Sequence, residues 1–266
     1  MPTTVPPLAR LVAAASWRTI DFISDLHLHA ADEATFLACQ QYLLHTRADA
    51  VFILGDLFEA WVGDDAALGT SVQDSFEARC AEVLRCAAQR TTLLFMHGNR
   101  DFLMGRNFLQ HCGMQFLPDP TVLEFAAQRW LLTHGDALCL ADIDYMQFRQ
   151  QVRATDWQQE FLARPLAERQ TIARSLRLQS QRVQRAAETY ADVDADAARA
   201  WLDTAQASVM IHGHTHRPAW HDLGQGRQRW VLSDWDCSLP TPRAQALRVQ
   251  SGNGPALVQR IALASN

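Results

Sequence analysis

Five short apolar runs, each ending abruptly in acidic, imidazole or amide residues, constrain this chain more than any other feature. TIDFIS stops at Asp25, DAVFIL at Gly55 and Asp56, TTLLFM just ahead of Gly98 and Asn99, RWLLT at His134, and SVMI at His212, Gly213 and His214. Segments with a helical period fill the gaps, and this alternation is the pattern of an α/β fold. In open α/β sheets functional groups gather just beyond the carboxyl ends of strands, where loops leave a rigid scaffold. Two later strand-like stretches, RQRWVLSDW and ALVQRIAL, predict a second sheet that closes the core.

Most of these strand ends are weak signals one at a time. Asp25-x-His27 taken singly is usually a turn or a cap, although an i, i+2 spacing in extended chain puts both side chains on one face. Asp56 offers two oxygens with separate lone pairs and can bridge two cations, with Gly55 allowing close backbone approach. Glu59, Asp64 and Asp65, in GDLFEAWVGDD, are explained by a helix start that favours acids and are left out of the ligand set. In HGNRDF, Asn99 is a neutral oxygen ligand, Arg100 suits bidentate grip on phosphate, and Asp101 orients a neighbour. His134 lies in HGD. His214 and His216, in HGHTHRP, form an imidazole cluster that points to metal by itself. His212 reads as structural, as do His29, His45, His97, His111 and His221.

Together the strand ends predict a two-metal site for phosphoester or pyrophosphate hydrolysis, built from Asp25, His27, Asp56, Asn99, His134, His214 and His216. No cysteine takes part, and a mixed oxygen and nitrogen pocket suits Mn²⁺ ahead of Fe²⁺, Zn²⁺ or Mg²⁺.

Composition narrows the setting. A chain of 266 residues that is 48% hydrophobic fits one domain with an insertion. A formal charge of −5 gives no global basic field for nucleic acid. The absence of lysine excludes Schiff-base chemistry. Six cysteines without a CxxC pair read as small buried residues in a reducing compartment. Residues 1–17 read as a disordered leader to a domain over 18–266, and no run is long enough to span a bilayer. Between Tyr145 and Ala187 the alternation gives way to a helical insertion with eight arginines (149, 153, 164, 169, 174, 177, 182 and 185) against Asp156, Glu160 and Glu168. Two readings compete for it: a solvated helical hairpin, or an amphipathic surface for anionic lipid or a phosphorylated substrate.

With DLH, GDLFEAWVGDD, HGNRDF, HGD and HGHTHRP in this order, the chain resembles the calcineurin-like metallophosphoesterases. GDLFEAWVGDD and HGNRDFL, with Arg100 where most of the superfamily has His, resemble one branch, the UDP-2,3-diacylglucosamine hydrolases of lipid A biosynthesis. The likeness runs from about Ile20 to Pro218. It implies a four-layer αββα sandwich of two mixed sheets with a helical cap over about 145–190. It also implies hydrolysis of UDP-2,3-diacylglucosamine by attack of metal-activated water on the α-phosphorus, giving UMP and 2,3-diacylglucosamine 1-phosphate (lipid X). Two Mn²⁺ ions are implied, one at Asp25, His27, Asp56 and His216, the other at Asp56, Asn99, His134 and His214.

The resemblance further gives catalytic roles to Asn99, Arg100 and His214, and substrate contacts to Asn99, Arg100, Asp142, Ser180, Gln184 and His214. Gln184 and Ala187 depart from the branch, which commonly has Asn and Lys there. Acyl chains are expected between the cap and the main domain. Peripheral attachment to the cytoplasmic face of the inner membrane is implied, with no nucleic acid and no obligate protein partner. A soluble metallophosphoesterase for nucleotides or phosphoproteins is the alternative enzyme. A non-catalytic scaffold of this fold would lack several ligands, and none is missing here.

Overall fold

The apolar runs become strands buried on both faces, and alternate positions along each strand feed different cores. The computed structural model describes residues 5–69, 74–186 and 192–263, with side chains left out over 178–186. Strands β1 (Ala9–Val12), β2 (Thr19–Ile23), β3 (Ala50–Leu54), β4 (Thr92–Met96), β5 (Gln115–Phe116) and β6 (Thr121–Phe125) are followed by β7 (Gln128–Leu132), β8 (Val209–His212), β9 (Ala219–Gly224), β10 (Arg227–Val231), β11 (Gln245–Gln250) and β12 (Leu257–Ala262). They form two mixed sheets in the orders β12-β11-β2-β3-β4-β5 and β1-β6-β7-β8-β10-β9. In the first sheet β2 to β5 are parallel, and β11 is antiparallel to both β2 and β12.

Because successive side chains leave a strand on opposite faces, Phe22, Phe52, Leu54, Leu94 and Met96 meet Leu123, Trp130, Leu132 and Ile211 of the other sheet. Their neighbours Ile23, Val51, Ile53, Leu93 and Phe95 face outward into a layer of helices. Those helices are α1 (Glu33–His45), the short α2 (Asp65–Leu68), α3 (Phe76–Ala88) and α4 (Arg106–Cys112). The outer face of the second sheet, with Val122, Leu131 and Met210, is covered by Ala198, Trp201 and Leu202 of α8 (Ala195–Ala205). The layers are therefore helix, sheet, sheet, helix, as the resemblance implies. Each large side chain buried this way contributes about 2–3 kcal/mol relative to exposure. Helix starts are fixed locally: Asp32, Ser75 and Asp194 accept from the backbone N–H three residues on.

Two expectations need correction. Residues 9–12, assigned to a disordered leader, form β1, which pairs in parallel with β6. Its order comes from that long-range partner and from Leu8, Leu11 and Trp17 packing on the cores, not from local propensity. The two carboxyl-terminal stretches do not share a sheet. The first becomes β10 in the second sheet and the second becomes β12 at the edge of the first.

The expected cap interval is occupied by α5 (Ile143–Val152), α6 (Thr155–Leu162) and α7 (Leu166–Ala186). Several of its arginines turn inward. Arg149 and Arg153 reach Asp136, Arg169 reaches Asp65 and the carbonyl of Val62, and Arg177 reaches Glu59. Apolar side chains of the cap pack against the body of the domain. Trp157 stacks on Phe161 at 4.9 Å and lies 6.3 Å from Phe102, and Phe161, Leu166 and Ile172 join the core under the first helical layer. No helix among the described residues is long and apolar enough to cross a membrane.

Candidate metal centre

The predicted ligands lie at the carboxyl ends of β2, β3 and β4 in one sheet and of β7 and β8 in the other. The pairing of β2 with β3 continues past the strand ends, with Asp25 N donating to Gly55 O (3.1 Å) and His27 N to Asp56 O (3.0 Å). In the second sheet Gly213 N donates to His134 O (2.9 Å). Asp25 stitches the two sheets together, since its Oδ2 accepts from His214 N at 2.9 Å and from Ser24 Oγ at 2.5 Å.

Five of the seven predicted ligands, Asp25, His27, Asp56, His214 and His216, have φ between +49° and +67°. Among the described residues, the four other non-glycine residues with positive φ sit in turns or at a helix end. A non-glycine residue held in this region costs on the order of 1 kcal/mol and persists where its surroundings force it, commonly at active sites. The i, i+2 pairs thus converge through left-handed turns and not through the pleat of an extended strand, which corrects the sequence reading. Glycines make the turns possible. A Cβ on Gly98 would come within 2.1 Å of Asp56 Oδ1, and one on Gly55, at φ +89°, within 2.5 Å of His134 Nδ1.

The side chains meet. His27 Nε2 and His216 Nε2 are 3.2 Å apart, and His216 Nε2 is 3.4 Å from Asp25 Oδ1. Asn99 Oδ1 lies 3.0 Å from His134 Nε2 and 2.8 Å from His214 Nδ1. Asp56 stands between the groups, with Oδ2 3.9 Å from His27 Nε2 and Oδ1 3.8 Å from His134 Nε2. Donor atoms of Asp25, His27 and His216 fall within 4.8 Å of one another, as do those of Asp25, Asp56 and His134. By distance Asp25 therefore touches both groups, while Asp56 divides its two oxygens between them.

Charge in this pocket favours cations. Asp25, Asp56, Asp101 and Asp136 are all buried, and buried carboxylates persist only when paired. Burial opposes ionisation of Asp25, but His216, His134 and His27 hold its carboxyl well below the usual range. Burial pushes His27 and His214 down to about 4, so both offer a lone pair at neutral pH. His134 goes the other way. Burial lowers it, yet Asp56, Asp136 and Asp25 raise it to about 9. His134 Nδ1 lies 2.8 Å from the carbonyl of Leu54, an acceptor that fixes the N–H there and leaves Nε2 for a cation. A divalent ion fits this donor set of carboxylate oxygens, amide oxygen and imidazole nitrogens.

Supporting groups sit just outside. Asp101 accepts from Leu57 N (2.7 Å), Gly98 N (2.8 Å) and Asp56 N (3.3 Å), tying the Asp56 turn to the Asn99 turn as its expected orienting role requires. Arg100 is locked through its backbone, N donating to Asp56 Oδ1 at 2.8 Å, while its buried Nε makes no hydrogen bond. His212 is buried away from the cluster against Arg229 and the carbonyl of Gly213. Asp142 does not join the centre: its exposed carboxylate caps α5, accepting from Tyr145 N at 3.0 Å. Ser180 and Gln184 lie outside the described side chains, and Ala187 outside the described residues.

Residues 18–218 match the profile of the calcineurin-like phosphoesterases. A UDP-2,3-diacylglucosamine hydrolase of Cellvibrio japonicus is 44% identical over 223 residues, covering 80% of this chain and 90% of that protein. Proteins of the same name from Chromobacterium violaceum and Ralstonia nicotianae are 46% and 43% identical, covering 81% and 87% of this chain and 90% and 89% of their own. The chain belongs to the UDP-2,3-diacylglucosamine hydrolase family of calcineurin-like phosphoesterases.

In this family member several functional neighbours escape the sequence reading. The Tyr145 ring lies 5.8 Å from that of His214 and its hydroxyl donates to Asp136 at 2.7 Å. Asp136, the third residue of HGD, also accepts from Arg149 Nε at 2.8 Å. Arg153 donates to Gly98 O at 2.8 Å, so α5 is fastened to the loops carrying His134 and Asn99. Asp64 and Asp65 do sit at the start of α2, as the helix-start reading expects, but Glu59 does not. Glu59 lies beside His27, and Asp64 accepts from Gly105 N and Phe108 N at the start of α4. The signal for Asp136 and Glu59 was within the motifs; their partners on the cap helices were not.

Proposed function

We propose that this chain hydrolyses the pyrophosphate bond of UDP-2,3-diacylglucosamine at the α-phosphorus, releasing UMP and 2,3-diacylglucosamine 1-phosphate. The observation that carries the reading is the convergence of Asp25, His27, Asp56, Asn99, His134, His214 and His216 in one buried acidic cluster. Asp25, His27, Asp56 and His216 hold one cation and Asp56, Asn99, His134 and His214 the other, with Mn²⁺ favoured by the mixed donors. Cations bound there supply an activated water at neutral pH and neutralise phosphoryl oxygens.

The chain's own residues do the rest. Arg100, with its buried unpaired Nε, grips the phosphate beside the cluster, and Asn99, whose amide oxygen faces the metal ligands, has its amide N–H to donate to the phosphate. His214, with the Tyr145 ring tilted beside it, orients a phosphoryl oxygen as charge builds up in the transition state. Asp142 keeps one carboxylate oxygen beyond its cap contact for a sugar hydroxyl, and Ser180 and Gln184 complete the substrate contacts from α7. Acyl chains use the apolar side chains that the cap leaves exposed, Ile143, Phe148, Leu162 and Leu176, and burial of each methylene there contributes about 0.8 kcal/mol. These same side chains support peripheral attachment at the inner membrane's cytoplasmic face.

The test is a Mn²⁺-dependent assay on UDP-2,3-diacylglucosamine with UMP detection, using UDP-N-acetylglucosamine as the unacylated control. UMP released from the acylated substrate alone supports the reading. Metal-loaded protein that releases none from it contradicts the reading.

A further inference from the structure

Glu59 is a buried carboxylate with two separate engagements. Pairing of β2 with β3 beyond the strands continues through Leu28 N to Leu57 O (2.9 Å) and Glu59 N to Leu28 O (3.2 Å), which carries Glu59 to the side of His27. Its Oε2 lies 3.0 Å from His27 Nδ1, and its Oε1 lies 2.7 Å from an Arg177 guanidinium nitrogen on α7. The opposite ring nitrogen, His27 Nε2, faces His216 and Asp56. Glu59 therefore stands behind the imidazole and cannot replace it as a ligand. With its side chain only 11% exposed, the carboxylate depends on Arg177 for its countercharge.

We propose that Glu59 is a positioning residue that couples the seating of the cap helix α7 to the metal centre, holding Arg177 with one oxygen and the His27 imidazole with the other. The inference rests on the dinuclear reading above. A histidine that binds a cation through Nε2 carries its proton on Nδ1, and that N–H needs an acceptor. The buried Nδ1 lies close to Glu59 Oε2 but off the line of a hydrogen bond. A small rotation of the carboxylate, pivoting on the Arg177 contact, supplies that acceptor when the site fills. Other cap contacts, at Asp136, Gly98 and Asp65, hold the cap to the body without meeting a ligand's ring nitrogen. Coupling of this kind is reciprocal, so metal occupancy steadies α7 to the extent that a seated α7 strengthens metal binding.

The experiment uses the full chain stripped of metal, titrated with Mn²⁺ by calorimetry, with amide hydrogen exchange followed along residues 166–177. In the unmodified protein Mn²⁺ slows exchange in that segment. Glu59→Gln weakens one Mn²⁺ site by about 10–100-fold, the usual effect of losing such a partner, and abolishes the protection. Arg177→Met breaks the contact from the other side and also abolishes the protection, so a folding defect in one variant leaves the test standing. Unchanged affinity and retained protection in both variants overturn the inference alone. An unmodified chain that binds no Mn²⁺ overturns the dinuclear reading and the coupling with it.

Discussion

His27 Nε2 and His216 Nε2 approach to 3.2 Å from strand ends in opposite sheets. Two imidazoles at that distance share either a proton or a cation, and Asp25 beside them favours positive charge of either kind. The whole centre behaves this way, which makes proton competition its first measurable property.

In the metal-free protein His134 holds a proton up to about pH 9, since the pull of Asp56, Asp136 and Asp25 outweighs burial. A cation binding through Nε2 must displace that proton. Mn²⁺ affinity should therefore climb as pH rises toward about 9 and level off above it, with proton uptake by the buffer visible in calorimetry. Affinity that is flat with pH over that range contradicts the assignment of His134.

Asp56 contributes its two oxygens to opposite groups. Asp56→Ala should abolish turnover and weaken both metal sites while leaving the metal-free fold largely intact, because the change also relieves repulsion from the nearby Asp101. Circular dichroism and metal titration check both halves, and near-normal activity would be incompatible with a shared ligand.

Arg100→Ala removes a group that touches phosphate and not metal. The rate should fall by about 10²–10³-fold, the loss typical of one transition-state donor, with two Mn²⁺ still bound. Loss of metal in this variant would place Arg100 in the wrong role.

Gly98→Ala tests the packing beneath the site. The added methyl meets Asp56 Oδ1 at 2.1 Å, so either the Asn99 turn or Asp56 must move. Turnover and metal affinity should fall together, whereas a methyl on the exposed Gly252, which meets nothing within 4 Å, should change neither.

Asp136 ties the cap to the His134 loop, and Arg149 leads the charges that outweigh burial and hold its carboxyl below the usual range. A carboxyl depressed in the folded state stabilises it above the unfolded pKa of about 3.9, and the contribution disappears as pH falls through the folded value. Asp136→Asn should lower stability by about 2 kcal/mol at neutral pH by taking the charged partner from the partly buried Arg149 and Arg153, and the gap from the unmodified protein should shrink in acid. Denaturant unfolding of the metal-free proteins at pH 7 and below pH 3 reads this directly.

The strand ends were legible in the sequence because a short continuous apolar run that stops at Asp, Asn or His is a local signal. Their left-handed backbone was not, since it arises where Gly55 and Gly98 let distant turns cross. The cap's arginines announced their sign but not their direction. Arg149, Arg153, Arg169 and Arg177 point inward because Asp136, Asp65 and Glu59 meet them, and for Asp65 and Glu59 the partner lies more than a hundred residues away in the chain. β1 was missed for a similar reason: its half-exposed residues earn a strand only by adding to β6.

The most direct test of a centre shared through Asp56 is anomalous diffraction at the manganese edge from crystals grown with Mn²⁺. Two peaks about 3.5–4 Å apart, one beside His27 and His216, the other beside His134 and Asn99, with Asp56 touching both, are the predicted result. A single peak, or two that Asp56 does not join, would contradict it.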